Sequence, residues 1–163
     1  MISKQLAKML NEQIGHELQA SQQYLAISIY FHMKQLDGWG AFFRRQAAEE
    51  RFHAMKILDF LISVDSRPIV PSVEGVSSDF KSDLDPVKAS LDWERQVTKQ
   101  IHDMADQAFK DKDHTSLQFL QWFISEQIEE ENLMEKLVAL VKSGINMFQA
   151  EPLLPTPEED HEN

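Results

Sequence analysis

Residues 66–85 read SRPIVPSVEGVSSDFKSDLD, and whether this stretch links two domains or straps one decides the fold. Prolines occur only between residues 68 and 86 and between 152 and 157, and glycines number five. Long helices are therefore permitted everywhere else. The pattern predicts helices at about 4–34, ending before Asp37-Gly38, and about 39–65, ending before Pro68. It predicts two more at about 86–111, with Asp85 as N-cap and Pro86 in the first turn, and about 114–143, ending before Gly144. A few residues separate the first helix from the second and the third from the fourth, so each pair forms an antiparallel hairpin. A helix of about 27 residues is roughly 40 Å long, and about 18 extended residues reach roughly 60 Å. The stretch 66–85 can thus run the length of the molecule, setting the second and third helices parallel. The expected fold is all-α: a four-helix bundle with one long crossover over residues 1–144, then a proline-rich acidic tail, 145–163.

Composition agrees with one domain: 163 residues, 42% hydrophobic and 26% charged, support a single sizeable core. The chain has no cysteine. Any metal must then be held by carboxylates, imidazoles and amides, which favours hard or borderline cations. A net charge of −11 argues against nucleic acid and anionic membranes as partners, because phosphate contact needs clustered Lys and Arg. The N-terminal MISKQLAKMLNEQIG lacks a continuous apolar region, and no apolar run has membrane-spanning length. The expectation is a soluble, cytoplasmic protein.

Heptad-like stripes show which faces turn inward. The first helix carries Leu10, Ile14, Glu17, Ser21, Tyr24, Ser28 and Phe31; the second carries Phe43, Ala47, Glu50, Ala54, Ile57, Leu61 and Val64. The third carries Val87, Leu91, Glu94, Thr98, Ile101, Ala105 and Ala108, and the fourth Phe123, Gln127, Glu130, Met134, Leu137 and Val141. Each stripe has an ionisable or amide residue near its middle. A lone buried carboxylate costs several kcal/mol even after relaxation, so four of them call for positive charge. No Lys or Arg lies on the stripes, and His53 is the one nearby nitrogen ligand. Metal ions are the economical account; a metal-free polar network would leave the charge uncompensated.

Spacing sharpens this reading. Glu17 to Glu50 and Glu94 to Gln127 both span 33 residues, and Glu17 to His53 and Glu94 to Glu130 both span 36. The hairpins superpose with a shift of 77, pairing Glu50 with Gln127 and His53 with Glu130. Di-iron carboxylate bundles use one Glu from each of two helices and Glu-x-x-His from each of the others. Here Glu50-Arg51-Phe52-His53 fits, whereas Gln127-Ile128-Glu129-Glu130 substitutes Gln-x-x-Glu. Two unequal metal positions follow: Glu17, Glu50 and His53 at one, and Glu94, Glu130 and a bridging Glu50 at the other, with Gln127 beside it.

With Tyr24 and the phrases FFRRQAAEERFH (42–53) and FLQWFISEQIEEE (119–131), the chain resembles the non-haem bacterial ferritins over roughly residues 3–143. The resemblance implies a ferroxidase: Fe(II) binds at a dinuclear centre, O2 or H2O2 oxidises it, and Fe(III) is stored in a hollow homo-oligomeric shell of 24 subunits. It also implies a third iron position at Glu49, Glu126, Glu129 and Glu130, and a role for Tyr24 in hydrogen bonding or electron donation. Trp122 resembles the family's tryptophan near that site. The bland counterparts are a solvated acidic face for Glu49, Glu126 and Glu129, a satisfied core hydroxyl for Tyr24 and packing for Trp122. Trp39 and Trp93 read as structural or interfacial, and His16, His32, His102, His114 and His161 as surface residues.

Haem is not expected, because Arg51 follows Glu50 where bacterioferritins have methionine, and the fourth helix has Gln127-x-x-Glu130. One departure concerns assembly. The tail GINMFQAEPLLPTPEEDHEN (144–163) leaves at most residues 145–151 for the fifth helix that ferritins normally have. The competing readings are a non-storing di-iron oxidase or oxygenase in a small oligomer, and a metal-free helical interaction module.

Overall fold

Four long helices carry the fold: α1 (Lys4–Met33), α2 (Asp37–Ser63), α3 (Leu84–Lys110) and α4 (His114–Lys142). A one-turn α5 (Met147–Ala150) and a 3-10 turn (Glu151–Leu153) follow. The computed structural model describes residues 1–156; Pro157, His161 and the rest of EEDHEN lie outside the described residues. No strand occurs among the described residues, and no helix there is long and apolar enough to cross a membrane.

Local chemistry sets the boundaries. Ser3 and Asp113 cap α1 and α4, their side chains accepting from the backbone N–H groups of Leu6 and Ser116. α1, α2 and α3 each exit through a left-handed residue, Gln35 (φ 63°), Asp65 (φ 55°) and Lys112 (φ 57°). At each exit the next N–H reaches five residues back, as in Leu36 to Phe31, Ser66 to Leu61 and Asp113 to Ala108. That double closure satisfies the carbonyls a helix end leaves open and turns the chain sharply. The expected cap at Asp85 is not formed. α3 begins at Leu84, and the Asp85 carboxylate accepts from Lys81 N–H at 3.2 Å. Asp83, at the cap position, is engaged instead by Tyr30 and Lys34.

The crossover behaves as a strap. Ile69 N–H donates to Asn11 and Glu74 N–H to Gln19, and Tyr30 donates to Asp83, so the segment climbs α1 from its start to its end. The α1–α2 hairpin is tied by Ser28 to the Gly40 carbonyl and Ser21 to the Ala47 carbonyl. Ser3 meets Asp111 at the opposite end from Tyr30 and Asp83, so α3 is antiparallel to α1 and parallel to α2.

The core has two apolar halves. One gathers Phe31, Trp39, Phe43, Leu91 and Leu137; the other gathers Leu6, Leu10, Ile57, Leu61, Ile101 and Phe123. Between them lies a polar waist made of Glu17, Glu50, His53, Glu94, Gln127 and Glu130, all buried. The stripes read from the sequence are the buried faces, except that Ser21, Val64, Thr98, Ala105 and Val141 are only half-buried. His32 departs from the surface reading: half-buried, with Nδ1 2.9 Å from Asp37, it occupies the space that glycine leaves at position 40.

The tail docks on the α1–α2 end. Trp39 Nε1 donates to the Met147 carbonyl (2.9 Å), and Glu151 Oε2 accepts from Gly38 N–H (3.0 Å). Leu36 offers α2 no side-chain cap, so Glu151 serves an otherwise open N–H and adds negative charge at the helix start. A methyl group at Gly38 would lie 2.5 Å from Glu151 Oε2 and 3.0 Å from its Cβ. Gly38→Ala and Glu151→Ala should each cost about 1 kcal/mol of stability in thermal unfolding. In the Glu151→Ala background, Gly38→Ala should no longer destabilise, because the obstructing side chain is gone and alanine favours the helix. Additive losses would refute the trans-cap.

Candidate metal centre

Each helix brings polar residues to the waist. α1 contributes Gln13, Glu17 and Tyr24, α2 contributes Gln46, Glu49, Glu50 and His53, α3 contributes Glu94 and Thr98, and α4 contributes Glu126, Gln127 and Glu130. Three groups have ligand atoms mutually within 4.8 Å: Glu17 with Glu50 and His53, Glu50 with Glu94 and Glu130, and Glu49 with His53 and Glu126. Glu50 belongs to the first two and His53 to the first and third. The three groups are therefore linked through two shared side chains.

The polar atoms divide sharply into satisfied and unsatisfied. Gln13 donates to Glu17 Oε1 (2.9 Å), Gln46 to Glu130 Oε2 (3.1 Å) and Gln127 to Glu94 Oε2 (3.1 Å). Tyr24 donates to Glu94 Oε1. In contrast, Glu17 Oε2, Glu49 Oε2, both oxygens of Glu50 and His53 Nε2 are buried without a hydrogen-bond partner among the described residues. His53 Nε2 stands 3.6 Å from Glu126 Oε1, the range of an ion pair and too long for a hydrogen bond. Buried polar atoms without hydrogen bonds are rare and costly, and here the carboxylates cluster around the one imidazole, His53 Nδ1 lying 3.9 Å from Glu17 Oε2 and 3.7 Å from Glu50 Oε2.

The electrostatics say the same. Burial pushes the carboxyls of Glu17, Glu50, Glu94 and Glu130 up, and neighbouring carboxylates add to it: Glu50 acts on Glu17, and Glu94 acts on Glu50 and Glu130. Burial also raises the Tyr24 hydroxyl, helped by Glu94, so it is a neutral donor. For His53, burial alone would lower the imidazole, but Glu126, Glu17 and Glu130 outweigh it and hold it up at about 9. Among the described residues no Lys or Arg is buried in the waist. A divalent cation would supply the missing charge, and a set of carboxylates with one imidazole suits iron or another borderline ion.

Every sequence-predicted site residue reaches the waist or its mouth. Glu129 is exposed and lines, with Glu49, Glu126 and Glu130, a cavity of about 330 Å³ between α2 and α4, where Pro155 and Thr156 complete the wall. Gln127 spends its amide on Glu94. Trp122 packs its ring edge-on 5.6 Å from that of His53, and the Lys56 ammonium lies over the Trp122 ring, 4.4 Å from its centroid. Sequence reasoning missed three things: the amides of Gln13 and Gln46, and the second use of His53 beside Glu49. All were marked by helical spacing, since Gln13 and Gln46 lie four residues before Glu17 and Glu50, and His53 four after Glu49.

Residues 7–143 match the model of the ferritin-like domain. The chain belongs to the ferritin-like family. Among its relatives, the bacterial non-heme ferritin of Staphylococcus aureus (strain USA300) is 37% identical over 135 residues, 83% of this chain and 81% of that one. An open pore ferritin from the archaeon Archaeoglobus fulgidus superposes with a TM-score of 0.92 at 30% identity, covering 97% of this chain and all of the other. Chlorobium tepidum ferritin gives 0.86 at 32% identity over 94% and 93%. In this ferritin-like chain the long crossover and the short fifth helix are both observed.

Proposed function

We propose that the protein stores and detoxifies iron in the cytoplasm as a ferroxidase. The observation that carries this reading is Glu50, whose two buried oxygens accept no hydrogen bond among the described residues and which belongs to two ligand groups at once. A carboxylate so placed bridges two cations, with Glu17 and His53 completing one position and Glu94 and Glu130 the other. Two Fe(II) ions held there yield one electron each, and O2 takes both electrons with two protons to become H2O2; peroxide can serve as oxidant in its turn. Tyr24 holds Glu94 and stands where a further electron could be drawn. The position at Glu49, His53 and Glu126, with Glu129 and Glu130 at the cavity wall, is read as a third iron site on the way to storage.

The short tail bears on assembly. We read a homo-oligomeric shell of 24 subunits built without a full fifth helix, a reading supported by the likeness to a ferritin described as open-pored. Aerobic addition of Fe(II) should give rapid oxidation with well over two irons retained per subunit, in a particle of shell mass by light scattering. Retention of the dinuclear pair alone, in a small oligomer, would favour a non-storing di-iron oxidase instead.

A further inference from the structure

Glu130 faces two ways. Its carboxylate groups with Glu50 and Glu94, yet it also lines the α2–α4 cavity with Glu49, Glu126 and Glu129. Side chains of this length move between such positions by rotamer changes, so something must hold Glu130 on one side. Gln46 is the hydrogen-bond donor that does so: its Nε2 donates to Glu130 Oε2 at 3.1 Å, from α2 across to α4. Gln46 is 5% exposed, so little water competes for the bond. The same amide lines the cavity, three residues before Glu49, whose buried Oε2 has no partner.

We infer that Gln46 is a positioning residue that keeps Glu130 in the dinuclear centre and away from the cavity position of Glu49, His53 and Glu126. The comparison among the waist carboxylates supports this. Glu17 is held by an amide of its own helix and Glu94 by Gln127 and Tyr24 of the two helices it packs against, whereas Glu50 accepts a hydrogen bond from none. Glu130 is the one whose donor comes from across the open seam. Breaking that bond frees Glu130 to turn toward the cavity, so an ion loses a ligand on one side and gains one on the other. Gln46 thereby sets the partition of iron between the oxidation centre and the route out of it.

The inference rests on the dinuclear reading, and anaerobic titration calorimetry separates the two. Fe(II) titrated into the assembled protein and into Gln46→Met, which keeps the volume and loses the donor, should show weaker binding at one of the paired positions. Loss of an outer hydrogen bond of this kind lowers metal affinity about ten- to hundredfold. Binding at the cavity position should hold or tighten, and the unfolding temperature of the metal-free protein should stay close to that of the parent. Gln46→Asn, too short to reach Glu130, should behave alike and serves if the methionine variant does not assemble. Unchanged pair affinity in either variant overturns the inference, as does a uniform loss at all positions together with lowered stability, which marks a merely structural amide. If the unmodified protein binds no pair of ions, the dinuclear reading itself falls.

Discussion

Glu50→Ala should lower the rate of aerobic Fe(II) oxidation by about a hundredfold or more, while making the metal-free protein more stable. The rate follows from position. Mutations that only touch a ligand's hydrogen-bond partner cost about ten- to a hundredfold in affinity or activity, and Glu50 is shared by two groups of ligands. Losing it should reach at least the upper end. The stability follows from burial. Glu50 is 1% exposed, both oxygens lack hydrogen-bond partners, and the carboxylates of Glu94 and Glu130 press on it. Removing it relieves that burial and repulsion, which outweigh its 3.7 Å pairing with His53, as the raised Glu50 carboxyl shows. The small cavity left by alanine offsets part of that gain, so Glu50→Gln, matched in volume, should show the larger rise in unfolding temperature. A structural carboxylate would give the opposite pair of results: unchanged oxidation, and a less stable variant.

The second large effect is the opposite response of metal-free and metal-loaded protein to pH. Burial and mutual repulsion raise the native values of Glu17, Glu50, Glu94 and Glu130 above the ordinary carboxylate range. Above that range the folded protein still holds protons that the unfolded chain has released, so stability falls as pH rises. His53 acts in the same direction. Its native value of about 9 exceeds the ordinary imidazole value of 6.5, so its contribution is complete below about pH 6.5 and is lost as pH climbs through about 9. The metal-free protein should therefore unfold at a higher temperature at about pH 6 than at about pH 9. With a divalent ion bound, the trend reverses, because ligands must be deprotonated and binding releases protons. Thermal unfolding from pH 6 to 9, with and without metal, reads both slopes. A flat metal-free profile would mean that the waist does not carry the excess protons.

Much of this was legible because helices write their inward faces in sequence. Glu17, Glu50, Glu94, Gln127 and Glu130 fell on apolar stripes, where a charged residue conflicts with its surroundings, and that conflict is visible without coordinates. Pro68, Pro71 and the length of 66–85 likewise forced the crossover. What was not legible depends on contacts between helices. Whether Gln46 serves Glu50 on its own helix or Glu130 on another is settled by how α2 and α4 pack, which no periodicity encodes. Asp85 has no capping role because α3 begins at Leu84, two residues earlier than read, and Asp83 at the cap position is held by Tyr30 of α1 and by Lys34 just beyond it. Glu151 in a proline-rich tail gives no hint that it meets Gly38.

That contact has a consequence for the order in which the molecule is made. Gly38 and Glu151 are 113 positions apart in the chain, so the α1–α2 hairpin leaves the ribosome long before the carboxylate that caps α2 exists. The waist, too, draws on all four helices, and Pro155 and Thr156 close the cavity beside it. A nascent chain of two helices therefore holds Glu17, Glu50 and His53 but neither Glu94 nor Glu130, enough for one ion and not for a pair. If the waist is the oxidation centre proposed above, its two-electron chemistry waits for the second hairpin, and a half-made chain is spared that reaction while its own apolar faces are still exposed.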